Sequence, residues 1–319
     1  MDTIKDYARL LHIPTLLLIA AFQVLMYFFV IVPSTKSLGV MPSMPILDLI
    51  NLIGATVFMA AGGFVINDYF DLKIDQINRP LTRIVGRTMD KHTAMTLYIV
   101  LTVIGIVFAL LLCWHARSID YAIMLLFISG ILWFYSSSYK RMFIVGNFIV
   151  SFLMGLVPFM VALFENRFLA VEYKTSPDLA YLMNENMMQI LGFSLMAFGW
   201  TFMIEVIKDL STQKGDRELE CHTLPIVLGE QKTKWILYVW NTLICLIFAF
   251  IIYKTPMLQN SLSYRFYICG TIIPALSLFY IINKAVNAGD YRLIVRYLLV
   301  IFAINIAYSY VVYSYYQSI

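Results

Sequence analysis

Carboxylates spaced three and four residues apart at the end of an apolar run are the first sign of chemistry in this 319-residue chain. The stretch reads Asn67-Asp68-Tyr69-Phe70-Asp71-Leu72-Lys73-Ile74-Asp75-Gln76-Ile77-Asn78-Arg79-Pro80. If the preceding helix continues through it, Asp68, Asp71 and Asp75 share one face, and Asn67 lies one turn before Asp71 beside that face. Like charges at this spacing repel, so the stretch costs stability unless a cation sits among them. Mg2+ suits such a place: it takes oxygen ligands and binds through one or two carboxylates plus substrate phosphates. A second group holds Glu205, Lys208, Asp209, Asp216, Arg217, Glu218 and Glu220 before Thr223-Leu224-Pro225. Asp209 and Asp216 are two helical turns apart and can share a face. A solvated acidic helix end explains either group alone. In a chain with only 19 acids the pair argues for more: two carboxylate groups, each placing a metal on one diphosphate.

Basic residues accompany the acids. Lys73, Arg79, Arg83 and Arg87 follow the first group, Lys140 and Arg141 fill a short polar hairpin, and Lys208 precedes Asp209. Arginine meets phosphate oxygens as a fork and lysine as a point charge. For Arg83 and Arg87, the ordinary positive bias of cytoplasmic loops is an equal explanation.

The elements that must position these residues are membrane spans. The chain is 61% hydrophobic and 13% charged, against roughly 25% charged in soluble domains. Apolar runs recur at 13–33, 45–66, 93–114, 119–138, 143–164, 187–207, 235–253, 266–283 and 293–315. Each is long enough for a hydrocarbon core of about 30 Å, and each is helical because isolated strands leave their backbone unpaired in lipid. The first run, reaching about Val32, is too long for a secretory signal. Only Lys36, Arg117, Arg167, Lys174, Lys254 and Arg265 fall on one side of these spans; the other 17 of 23 basic residues fall on the acid-bearing side. That bias predicts nine spans, with the N-terminus and both acidic loops cytoplasmic and the C-terminus outside. Cys113, Cys221, Cys245 and Cys269 form no CxxC pair, and His12, His92, His115 and His222 show no metal-ligand spacing. Zinc, iron–sulfur and disulfide frameworks are thereby disfavoured. The expectation is a single all-α integral membrane domain over residues 1–319. Nothing points to nucleic acid or an obligate protein partner.

The NDYFDLKIDQINRP stretch resembles the NDxxDxxxD motif of UbiA-type intramembrane prenyltransferases without a gap. Tyr135 to Asn147 (YSSSYKRMFIVGN) is similar to that family's YSxxLKR…GN segment, and Lys208 to Pro225 to its second acidic motif. The resemblance runs from about residue 5 to the last helix. It implies about nine helices around a central pocket open to lipid, with two Asp-rich loops binding a prenyl diphosphate through Mg2+. Carried over by residue, Asn67, Asp68, Asp71, Asp75, Asp209 and Asp216 are the metal group. Asn67, Lys73, Arg79, Lys140, Arg141 and Lys208 are diphosphate contacts, and Asp71, Asp75 and Lys140 are the catalytic residues. Two positions depart from the pattern: Thr212 stands where relatives carry an aspartate and Ile204 where they carry an arginine. The segment after Asn78-Arg79-Pro80 is also shortened.

The resemblance implies transfer of a prenyl chain to a lipid-soluble or amphiphilic acceptor. The first motif is most similar to the branch that alkylates geranylgeranylglyceryl phosphate, with aromatic quinone precursors (dihydroxynaphthoate, 4-hydroxybenzoate) as the alternative and a non-catalytic relative as the contrasting class. A CDP-alcohol phosphotransferase needs a DG and an AR pair that Asp71-Leu72-Lys73 does not supply. An ion-coupled transporter would place charges at mid-membrane, where these spans carry almost none.

Overall fold

The computed structural model describes residues 2–173, 177–255 and 258–318, with side chains from residue 5 and, after the first gap, from residue 179. Among the described residues, nine helices are long and apolar enough to span a bilayer. They are Ile13–Ser37, Ile46–Phe70, Lys91–His115, Ile119–Ser137, Val145–Tyr173, Leu179–Glu218, Glu230–Lys254, Ser261–Lys284 and Ala288–Gln317. Each overlaps one predicted apolar run, and most extend past it. Hydropathy marks only the part in hydrocarbon, whereas a helix continues until a cap or a turn stops it. Asp90, Ser118 and Asn287 supply such caps at the starts of the third, fourth and ninth spans. The protein is a multi-pass, all-α membrane protein.

Large apolar side chains face both ways, as lipid solvation permits. Trp200, Phe22, Phe164 and Phe302 are buried between helices, while Leu17, Trp114, Phe127, Val239 and Tyr253 point outward. Small residues set the closest contacts. A Cβ on Gly62 would meet the Thr102 hydroxyl of the third span at 2.8 Å, and one on Gly63 would meet Leu132 of the fourth at 3.3 Å. The paired glycines therefore seat the acid-bearing second span against both neighbours. Two spans widen into π-helical turns, at Met26–Ile31 and Ile268–Ile272. Each lies just before a proline, Pro33 and Pro274. Proline offers no N–H and crowds the carbonyl four residues back, and a wider turn relieves both.

The end of the bundle away from the acidic groups is tied by buried polar contacts. Glu165 accepts from the backbone N–H groups of Ser43 (2.7 Å) and Met44 (3.0 Å), and Asp48 meets His115 Nδ1 at 2.8 Å. These acids are spent on structure.

Candidate active site

The second span stops at Phe70. Asp71 leaves helical geometry at φ −84°, ψ 1°, and a short helix, Leu72–Asn78, follows. The sequence expectation of one continuous helix is thus corrected at one residue. The step is small, because Asp71 N–H still bonds to the Asn67 carbonyl and Asp75 N–H to that of Asp71 (3.0 and 2.8 Å). Asn67, Asp68, Asp71 and Asp75 remain grouped.

Two cations hold this group. Arg79 forks onto Asp75, with Nε to Oδ1 at 2.7 Å and Nη2 to Oδ2 at 2.9 Å, and Nη2 also reaches Asp68 Oδ1 at 3.1 Å. Burial works against the Arg79 charge, but the Asp75 hydrogen bond and the fields of Asp68, Asp75 and Asp71 outweigh it and raise its pKa. Burial pushes the Asp75 carboxyl up, and its bond to Arg79 pulls the other way. Lys140 pairs with Asp71 and donates to Asn67 Oδ1 at 2.9 Å, while Asn67 Nδ2 donates to Asp71 Oδ2 at 3.1 Å. Lys140 rides on the 3-10 turn Tyr139–Arg141. Gly146 makes room for it: a Cβ there would lie 2.5 Å from the Lys140 Cα. Arg141 takes a different part from the one expected. Its Nη2 donates to the Phe70 carbonyl at 3.0 Å, capping the second span, and its Nε is buried without a partner.

The second group is held by neutral donors. Asn147 Nδ2 donates to Asp209 Oδ2 at 2.8 Å, and the hydroxyls of Thr212 (3.1 Å) and Thr223 (3.3 Å) donate to Asp216 Oδ2. The sixth span, 40 residues and about 60 Å long at 1.5 Å per residue, carries these residues well past a 30 Å core. Thr212, the departure from the aspartate of relatives, here props up Asp216 through its hydroxyl. Ile204 is buried in the helix core.

Asn78 joins the two groups. Its Nδ2 donates to the Thr212 carbonyl at 3.2 Å, and its Oδ1 accepts from Gly215 N–H at 3.0 Å. Gly215 must lack a side chain, since a Cβ would sit 2.5 Å from Asn78 Nδ2. Cys221 lies within reach of both motifs: burial raises its thiol pKa, the fields of Asp216 and Asp71 add to that, and Arg141 and Lys140 oppose. The carboxylates from two distant segments thus meet at one end of the bundle.

Two sequence candidates stand apart. Lys73 is exposed and makes no ion pair among the described residues, and Lys208 pairs with Glu205 at 2.7 Å, half exposed. Conversely, Asn78, Gly146, Asn147 and Gly215 do structural work at the site; all four lie inside the motif segments of the sequence, where no role attaches to them. Arg83 has two guanidinium nitrogens buried without partners. Among the described residues, no three His, Cys, Asp or Glu side chains gather around one point. A metal caged wholly by protein does not fit this donor set. Mg2+ shared between one or two carboxylates, waters and substrate phosphate does.

Nine spans with paired aspartate groups joined at one end define a class, and residues 28–302 match it: the chain belongs to the UbiA prenyltransferase family. Among individual proteins, it is similar to the digeranylgeranylglyceryl phosphate synthase of Methanosphaera stadtmanae, 27% identical over 198 residues, 62% of this chain and 64% of that protein. The matched region thus spans just under two thirds of that relative. A solved structure concerned with digeranylgeranylglyceryl phosphate synthase in membranes superposes with a TM-score of 0.62 at 20% identity, covering 98% of both chains. A UbiA homologue from Archaeoglobus fulgidus, bound to GPP and Mg2+, gives 0.58 at 16% identity, covering 97% of this chain and 99% of that one. At these identities the structures establish a common fold.

Proposed function

We propose that this protein transfers a prenyl chain from its diphosphate to geranylgeranylglyceryl phosphate, at the cytoplasmic surface of the membrane. The observation that carries the reading is the meeting of two acidic groups across Asn78, with Lys140 seated at the first. The acceptor rests on the similarity to digeranylgeranylglyceryl phosphate synthases, and the cytoplasmic orientation on the basic-residue bias.

Asn67, Asp68, Asp71 and Asp75 form one side of the grip, and Asp209 and Asp216 the other. Mg2+, when bound, supplies Lewis-acid neutralisation of the diphosphate, which makes it a better leaving group. Lys140 and Arg79, now paired with carboxylates, are placed to turn toward phosphate oxygens and balance the charge that builds on the leaving oxygen. Asn147, Thr212 and Thr223 hold Asp209 and Asp216 in place without adding charge. As the allylic C–O bond loosens, its electron pair leaves with the diphosphate and the acceptor oxygen bonds to C1. Phe70 and Trp133, in edge-to-face contact at 5.4 Å beside the first motif, are placed to shield the developing cation.

The test is the purified chain in liposomes with Mg2+ and labelled geranylgeranyl diphosphate. Geranylgeranylglyceryl phosphate and the two aromatic acids are offered together, and products are read by mass spectrometry. The ether-linked product is expected, and chelation should abolish it. An aromatic product alone would move the acceptor to the quinone-precursor class; transfer that survives chelation would remove the mechanism.

A further inference from the structure

The alcohol acceptor proposed above must lose a proton as its oxygen attacks, and a group other than the metal-binding acids and their cations must take it. The aspartates of the first group are paired with Arg79 and Lys140, those of the second accept hydrogen bonds through Oδ2, and Lys140 and Arg79 are charged donors. The face that bears these acids continues one turn deeper into the membrane. Phe64 lies one helical turn before Asp68 on the second span, on the face that leads to Asp71. A diphosphate gripped by the acids with its tail in the bilayer would direct C1 to the membrane side of Asp68, toward Phe64.

The ring of His12 packs on Phe64, with centroids 4.7 Å apart and planes tilted by 35°. His12 forms the break between the surface helix Asp2–Leu10 and the first span, at φ 50° and ψ 47°. This left-handed conformation is costly for a residue with a Cβ and persists only where the surroundings fix it. The chain on both sides does so. His12 N–H bonds to the Arg9 carbonyl at 3.2 Å, and Thr15 and Leu16 N–H groups bond to the His12 carbonyl at 2.8 and 3.2 Å. Arg9 also ties the surface helix to the loop after the first motif, through the Thr82 carbonyl at 3.0 Å. Among the described residues, neither ring nitrogen of His12 makes a hydrogen bond. The charged groups facing it are Arg79 from that loop and Lys208 from the sixth span, while Asp6 and Arg9 of its own helix pair with each other at 3.6 Å. Part of the side chain meets the surface, yet the surrounding protein desolvates the ring. That burial first, then Lys208 and Arg79, push the imidazole down to about 4. The ring is therefore neutral and able to accept a proton, and a diphosphate bound beside Arg79 would offset that cation's share of the shift.

We propose that His12 is the general base that takes the acceptor's hydroxyl proton. The acceptor O–H proton passes to the free imidazole nitrogen, its oxygen forms the new bond to C1, and the C1–O bond breaks with its electrons going to diphosphate. The imidazolium then returns its proton to the released diphosphate or to water. This rests on the alcohol-acceptor reading.

The experiment compares the full-length parent with His12→Asn and His12→Ala in liposomes. Asparagine tolerates the left-handed conformation, so the break is kept and only the base is lost. The expected result is a fall in kcat of about 100-fold or more, with Mg2+-dependent binding of prenyl diphosphate unchanged. The parent's loss of kcat on acidification should flatten in His12→Asn, and added imidazole should restore part of the rate of His12→Ala. Parent-like kcat in His12→Asn, or loss of prenyl diphosphate binding together with kcat and no rescue by imidazole, overturns the base. A parent that does not alkylate the glyceryl alcohol overturns the acceptor reading and the base with it, and is recognised because the parent itself fails.

Discussion

The two acidic groups meet at one place but are held by opposite means. In the first, Arg79 and Lys140 answer three aspartates, leaving it short of neutrality by a single charge. In the second, Asp209 and Asp216 have only amide and hydroxyl donors, and Lys208, next to Asp209 in sequence, is taken by Glu205. The difference teaches that the first group carries its own cations as folded, whereas the second has no cation bonded to either carboxyl. A divalent ion arriving with a diphosphate would complete the second group and release the cations of the first.

The sharpest way to break this contrast is Asp71→Ala. It removes a carboxylate and strands Lys140, so transfer should fall by about 1,000-fold or more, read as kcat/KM with labelled prenyl diphosphate. Next comes Asp216→Asn, which keeps the shape and removes one of the two carboxyls that no cation answers. A loss of about 100-fold is expected, with a Mg2+ requirement shifted to higher concentration; an unchanged Mg2+ titration would end the distinction between the groups. Lys140→Met leaves Asp71 unpaired at a largely buried position. Without metal it should cost about 3–5 kcal/mol of stability, seen as a lower unfolding temperature, with much of the loss recovered on adding Mg2+. The mildest test runs the other way. Thr212→Asp restores the carboxylate of relatives, and half-saturation by Mg2+ should fall about tenfold, or about 1.4 kcal/mol, while the metal-free protein becomes less stable. No shift in the Mg2+ curve would mean that position 212 does not face the ion.

Much of this was legible in the chain. All nine spans followed from runs of apolar residues, because the bilayer leaves helix as the only spanning option. Asp68, Asp71 and Asp75 could be grouped from spacing alone, since helical period carries that information. The break at Asp71 could not be read, because it turns on how the short helix rests against the sixth span. Nor could the parts of Asn78, Asn147 and Arg141, whose partners lie 62 to 137 residues away in sequence. Such contacts leave no periodic trace. His12 was passed over for a similar reason: a lone histidine gains meaning only when its ring is seen over Phe64.

Asn78 has one more consequence. Both hydrogen bonds by which it spans the two motifs run between uncharged groups, so neither salt nor acid screens or titrates them away. The gap a diphosphate must fill is thus metered by a neutral strut. In the proposed reaction, charge around the site would change as ions and substrate come and go, while these two bonds carry no charge for it to act on.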